Sequence, residues 1–240
     1  MKKLILPILT VLALSTYSQD KNTTTTSVNS DGIKPEAKSI TAELNLTPFS
    51  GTPLSISYLR FRYFIAERIA LRAGASIALK FLPLPANTST DTYTGSISTF
   101  AFSLRPGIEK HFKGTNRLSP FIGGEADITL QTASANVTRT GGGTTTNYVL
   151  TGATNADPTT GGAPFQNRGY FRFGLNAIAG FDFYIAKHLY LGSEFGFGLY
   201  LNSNTDVVAT SGTTTVTTKG GTTFEISPSY NSSIRVGFLF

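Results

Sequence analysis

The sequence predicts an all-β fold, an eight-stranded antiparallel up-and-down transmembrane β-barrel, on three observations. Apolar residues recur at every second position through eight segments between Ile40 and Phe240, which is the strand period and not the helical one. The connections between those segments alternate between short and long, as in barrels that stand in an outer membrane. The face opposite the apolar residues carries Gly, Ala, Ser and Thr together with charges, which is what the narrow interior of a closed sheet demands. Composition agrees: 14% of the 240 residues are charged, against about 25% in soluble domains, and there are 24 glycines and no cysteine. Disulfides, Cys-based zinc sites and thiolate nucleophiles are thereby excluded.

Taking the chain in order, Met1-Lys2-Lys3 precedes an apolar run from Leu4 to Leu14, with the small residues Thr16 and Ser18 after it. Residues 1–18 therefore read as a signal peptide, because a run interrupted by Pro7 falls short of the roughly 20 residues of a spanning helix. Residues 19–37, with Asn22, Thr23 to Thr26, Ser27, Asn29 and Ser30, read as a disordered tether. The barrel is expected over 38–240. Removing Lys2 and Lys3 lowers the formal charge from +6 to +4, and the basic residues are scattered, so nucleic acid is not an expected partner.

The first strand sets Ile40, Ala42, Leu44 and Leu46 against Glu43 and Asn45, and the second sets Leu59, Phe61 and Tyr63 against Arg60 and Arg62. Leu54 and Ile56 are out of phase with the latter, which predicts a bulge near Ser57 and Tyr58. The third sets Ile69, Leu71, Ala73, Ala75, Ile77 and Leu79 against Arg72, Gly74 and Ser76; the fourth sets Phe100, Phe102, Leu104 and Ile108 against Ser103, Arg105, Gly107 and Glu109. In the fifth, Leu118, Ile122, Ala126, Ile128 and Leu130 oppose Gly123, Glu125, Asp127 and Thr129. In the sixth, Phe171, Phe173, Leu175, Phe181 and Phe183 oppose Arg172, Gly174, Asn176, Gly180 and Asp182. The seventh runs from Leu189 to Leu201 with Tyr190, Gly192, Glu194 and Gly196 on its polar face, and the eighth sets Ile234, Val236, Phe238 and Phe240 against Arg235 and Gly237.

Turns at about 65–68, 111–117 and 185–188 are short, whereas the connections at about 80–97, 131–168 and 202–223 are long and rich in Thr, Gly, Ser and Asn; only the first long-side connection, Pro48 to Pro53, is brief. Two of the long ones contain hairpin patterns of their own, Val137 to Leu150 around Gly141-Gly142-Gly143 and Val207 to Thr218 around Ser211-Gly212.

The alternation puts Arg60, Arg62, Arg72, Arg105, Arg172 and Arg235 on the polar face with Glu43, Glu109, Glu125, Asp127, Asp182 and Glu194. A water-washed face has no need of glycine and favours Lys, which is missing from the middle of these strands. A closed interior needs small residues and balanced charges, because an unpaired buried charge costs several kcal/mol. These twelve residues are expected to form a structural charge network inside the barrel. Phe64, Phe183, Tyr184, Tyr190 and Phe240 near the short turns, and Phe100, Tyr170, Phe171 and Tyr230 near the long loops, are expected to form two interfacial girdles.

Ile234, Val236 and Phe238 leading to Phe240 resemble the C-terminal assembly signal of bacterial outer-membrane proteins. With the leader and the loop asymmetry, the region from 38 to 240 resembles the small eight-stranded OmpX/OmpA-type barrel family, and its Thr-rich loops are similar to those of Bacteroidetes members. The resemblance implies the cell outer membrane as location, periplasmic termini, and as partners outer-membrane lipid, lipopolysaccharide and the barrel-assembly machinery. Eight strands leave an interior filled by side chains. The expected role is therefore structural or surface-interacting, with a plugged lumen and long external loops that contact a surface, a protein or lipopolysaccharide. A narrow porin-like channel and an accessory barrel of a secretion or envelope complex are the alternatives.

No enzyme, cofactor or metal site is expected. GxSxG, HExxH and P-loop patterns are missing from the sequence. His111 and His188, the two histidines, fall at the short-turn side and read as interfacial turn residues. Glu125 and Asp127 share a strand face as an acid/base pair would, but so many neighbouring arginines would hold both ionised as structural partners.

Overall fold

The structure, a computed structural model, describes residues 33–46, 54–83, 86–87, 91–154, 167–230 and 234–240. The expected signal peptide and most of the expected tether lie outside the described residues. Period-two alternation yields strands throughout and no helix among the described residues. In order they are β1 (Ile40–Leu46), β2 (Leu54–Ala66), β3 (Ile69–Pro83), β4 (Ala86–Asn87), β5 (Asp91–His111), β6 (Leu118–Gly141), β7 (Thr144–Thr151), β8 (Tyr170–Ala186), β9 (Leu189–Asn204), β10 (Val207–Ser211), β11 (Thr214–Thr218), β12 (Thr222–Tyr230) and β13 (Ile234–Leu239).

Eight of these close into a ring, each antiparallel to its neighbours, in the order β1, β2, β3, β5, β6, β8, β9 and β13. The last strand returns to the first, with Leu239 opposite Thr41 and Ile234 opposite Leu46, so the sheet has no free edge at that level. The short turns at Glu67–Arg68, 112–117 and Lys187–His188 gather at one end. The bulge expected in the second strand is present. Glu43 faces Arg60 and Asn45 faces Ser55, so β2 advances five residues while β1 advances two.

The long connections are largely strand. β5 and β6 pair over their full lengths, from Asp91 opposite Gly141 to His111 opposite Phe121, and rise past their neighbours at the long-loop end. There β7 adds to β6, β10 to β7 and β11 to β10, which makes strands of the two expected hairpins. β12 is a strand that the sequence pattern did not reveal. Phe224 and Ile226 alternate with Thr223 and Glu225, but Pro228 interrupts them. Among the described residues β12 pairs β9 alone, and a strand with one partner tolerates a residue lacking an N–H.

The extension has a small core of its own, Ala135, Leu150, Ala153 and Val207, against which Ile97, Val137 and Ala209 pack. Its base is clasped by backbone bonds: Gly152 donates to Ala133 O at 2.8 Å, Gly169 to Gly152 O at 2.8 Å, Thr205 to Gly169 O at 2.9 Å and Asn204 to Gly221 O at 2.9 Å. Arg168 reinforces them, donating to the carbonyls of Thr205 at 2.9 Å and Lys219 at 2.9 Å. At the opposite end, residues 33–37, which composition assigns to the tether, lie across the short turns, where Lys34 donates to Lys113 O at 2.7 Å and Leu118 O at 3.0 Å.

Candidate functional site

Strand alternation puts one face of the ring outward and one inward, and the two differ in chemistry. Phe61, Leu71, Ile122, Phe173, Leu175, Phe197 and Phe238 are exposed on the outside, whereas Arg62, Glu109, Asp182 and Arg235 are fully buried inside. The ladder register makes room for the long inward side chains. Arg60 stands opposite Gly74, Arg72 opposite Gly107, Arg235 opposite Gly192 and Glu43 opposite Gly237. At Gly192 a Cβ would lie 2.7 Å from both Arg235 Nη2 and Asp182 Oδ1, so the guanidinium and its carboxylate occupy the space a side chain would need.

Nine of the twelve expected network residues join in one web. Glu43 receives Arg60 Nη1 at 3.2 Å, Arg235 Nη1 at 3.0 Å and Arg62, and it also accepts the Tyr190 hydroxyl at 2.7 Å. Asp182 receives Arg62 Nη1 at 2.6 Å and Arg235 Nη2 at 3.0 Å. Glu194 bridges Arg60 Nη2 at 2.7 Å and Arg72 Nη1 at 3.2 Å, while Glu109 holds Arg72 Nη1 at 2.5 Å. Glu125 completes the web through Arg72 Nη2 at 3.0 Å. Arg62 and Arg72 face each other directly across the β2–β3 ladder, an arrangement that like charges disfavour and that Glu43, Glu109 and Asp182 offset.

Two expected members form a separate pair nearer the long loops, Arg105 Nη2 with Asp127 Oδ2 at 3.0 Å, and there the arginine side chain is 35% exposed. Arg172 departs from the expectation. It meets no carboxylate among the described residues. Instead its Nε donates to Asn202 Oδ1 at 2.7 Å, and its guanidinium lies over the rings of Tyr170 and Tyr200, 5.4 Å from each centroid. The matched count of six arginines and six acids is thus not a matched pairing.

The girdle expectation is corrected at four positions. Phe64, Tyr184 and Tyr190 are buried inside the ring, and Tyr170 turns inward onto Arg172. Each shares the phase of inward residues on its own strand, Phe64 with Arg62, Tyr184 with Asp182, Tyr190 with Glu194 and Tyr170 with Arg172. That phase decides the face, whatever the height along the strand. Phe171, Phe183 and Phe240 do face outward and Phe100 is half-exposed; the side chain of Tyr230 lies outside the described residues. In the C-terminal stretch Ile234, Phe238 and Phe240 are exposed on the outer face and Val236 is half-buried.

His111 is also corrected. It closes β5 as a buried interior residue, 3% exposed, between the rings of Phe64 and Phe121 at 5.3 Å from each. Its partners are Ser119 and Glu109. His188 does sit in a turn, with Nδ1 2.8 Å from Leu239 O. Asn176 lies inside, on the polar face that alternation predicts for it, and Phe121, Ser119 and Tyr200 belong to the interior as well, in the phase of their strands' polar faces. Comparison with protein-family models finds no match to this chain, and comparison with curated proteins finds none either.

Proposed function

We propose that this chain is an integral outer-membrane β-barrel with a plugged lumen, which anchors a rigid sheet extension outside the cell. The observation that carries the reading is the inversion of its two faces. Large apolar side chains are the exposed ones and arginines with carboxylates are the buried ones, the reverse of a protein whose outer surface meets water. Hydrocarbon suits such an outer face, and at the level where β13 meets β1 the closed ring leaves no sheet edge to be satisfied by water.

Strand length supports the same reading. A membrane-spanning strand needs about 9–11 residues, and β5 and β6 have 21 and 24, so their excess stands beyond the lipid as the sheet that β7, β10 and β11 widen. The web of arginines and acids ties together buried side chains from all eight ring strands, which supports a plug in preference to a pore. The outward Ile234, Phe238 and Phe240 on the closing strand agree with the resemblance to the OmpX/OmpA-type family. In this reading the chain's contacts are outer-membrane lipid, lipopolysaccharide and the assembly machinery. The function lies in what the sheet extension presents.

Electrophoresis of the expressed protein with and without boiling tests the fold in detergent, where a folded barrel migrates at a different apparent size from the heated sample. Fractionation of cells with the protein in the outer membrane is expected, and recovery in the soluble periplasmic fraction would overturn the proposal. Planar-bilayer recording separates plug from channel, since steady unitary conductance by the pure protein contradicts a filled lumen.

A further inference from the structure

At the short-turn end one carboxylate of the web, Glu109, also touches interior residues that carry no part of the arginine–acid pairing. Glu109 and His111 are two apart on β5 and so face inward together. His111 pairs with Phe121 across the ladder, which makes Ser119, two residues earlier on β6, its diagonal neighbour on the same face. Ser119 Oγ lies 3.0 Å from His111 Nδ1, and His111 Nε2 lies 3.3 Å from Glu109 Oε2. Glu109 is itself held by Arg72 at 2.5 Å and Arg62 at 3.4 Å, and the imidazole is fixed between two phenyl rings.

Both His111 and Ser119 line a cavity of about 500 Å³ at the short-turn end, with Phe64, Phe112, Lys34 and Arg68 also on its wall. That volume is in the range of small-ligand sites. An ammonium has three protons, and Lys34 gives two of them to the Lys113 and Leu118 carbonyls. Burial and the neighbouring Arg68 guanidinium hold the Lys34 pKa below the usual lysine value, which places two cations close together at this cavity.

We infer that Ser119, His111 and Glu109 form a hydrolytic site in which Ser119 is the nucleophile, His111 the base and Glu109 a positioning residue, acting on a small carboxylic ester admitted from the cavity. With Nε2–H donating to Glu109, the Nδ1 lone pair faces the serine; the two ring nitrogens exchange the roles they hold in the familiar serine hydrolases, and the proton chemistry is unchanged. Ser119 Oγ attacks the ester carbonyl carbon and its proton passes to Nδ1, while the carbonyl π pair moves to oxygen near Lys34 and Arg68. Collapse of that adduct breaks the ester C–O bond, and the departing alkoxide takes the proton from Nδ1 to leave as alcohol. Water then attacks the acyl-serine, gives a proton to Nδ1, and after the second collapse Ser119 recovers that proton and the carboxylic acid leaves.

The test uses the full chain folded in detergent micelles, its fold checked by migration without boiling. A fluorophosphonate probe followed by peptide mass spectrometry is expected to place the adduct on Ser119, and an unmodified Ser119 after saturating exposure overturns the inference without any variant. Hydrolysis of p-nitrophenyl acetate and butyrate is expected to fall by about 100-fold or more in Ser119→Ala and His111→Gln. Turnover by folded Ser119→Ala equal to that of the unaltered chain also overturns it. Glu109→Gln keeps an acceptor for Nε2–H but removes the charge, so kcat should fall while KM holds; an unchanged kcat removes Glu109 from the site.

Discussion

Tyr190 and Glu43, 147 positions apart in the chain, meet inside the ring, where the phenol donates to Oε1 of the carboxylate at 2.7 Å. The contact exists because Gly237, opposite Glu43 on β1 and opposite Tyr190 on β9, has no side chain. A Cβ there would collide with the Tyr190 ring and hydroxyl. Gly237→Val should displace the tyrosine and lower stability by about 1–3 kcal/mol through overpacking. Tyr190→Phe should lower it by a similar amount, about 1–3 kcal/mol, by removing a hydrogen bond to a charged acceptor. Urea midpoints in micelles measure both, and unchanged midpoints would mean that Tyr190 does not pack where described.

The web and the outer pair differ in burial and should differ in energy. Asp182→Asn leaves Arg62 and Arg235 short of charge in a fully buried setting, and about 3–5 kcal/mol of stability should be lost. Asp127→Asn keeps an amide oxygen for the Thr129 hydroxyl, which donates to Asp127 Oδ1 at 2.6 Å, and takes a charge only from Arg105, whose side chain is a third exposed and can turn to water, so about 1 kcal/mol or less is expected. Equal losses for the two variants would contradict a sealed centre.

Arg172 gives the converse case. With no carboxylate partner among the described residues and a side chain only partly buried, Arg172→Met should move the midpoint by about 1 kcal/mol or less, the size of its contacts with Tyr170 and Tyr200. A loss comparable to Asp182→Asn would mean that an ion pair holds it.

The clasp at the long-loop end carries a pH dependence. Lys219 Nζ donates to Asp206 Oδ2 at 2.7 Å and the Gly220 amide to Asp206 Oδ1 at 2.8 Å, and these bonds hold the Asp206 carboxyl below the usual aspartate value. A group whose folded pKa is depressed contributes stability above its unfolded value and loses it as pH falls through the folded one. The clasp should therefore persist through neutral pH and loosen only in acid below about 3.9, the ordinary aspartate value. The Gly220 amide resonance followed during acidification reports it, and a midpoint at or above that value refutes the pairing.

Much of this arrangement is legible in the chain alone. Alternation assigned Glu43, Arg62, Asp182 and Arg235 to the inner face, because side-chain direction in a strand is fixed by parity. The same parity, applied to Phe64 and Tyr184, would have turned them inward; it did set Tyr190 on the polar face, and only reading its height along the strand assigned it to a girdle as well. Which arginine meets which acid was not legible, since partners such as Arg60 and Glu194, or Arg62 and Asp182, lie on strands that only the stagger of the closed ring brings face to face. Arg172 shows the limit most plainly, as it has the right phase and stands one level away from the carboxylates. The Ser119–His111–Glu109 group was hidden for a related reason, because its members share no sequence motif and Ser119 reaches the other two only through the β5–β6 ladder.

At the far end of the tall β5–β6 side, the glycines of the two hairpin tips border open space. Gly142, Gly143 and Gly212 have left-handed backbones, and no atom lies within 4 Å of a Cβ built on them, whereas Gly152 and Gly220 are hemmed in by the Asp206 and Asn204 carbonyls. Lengthening a loop whose ends are already fixed adds little entropy cost. A foreign epitope spliced between Gly142 and Gly143 should ride on the scaffold without loosening it, while the same graft at Gly152 should unpick the clasp; the molecule separates a permissive rim from a locked base.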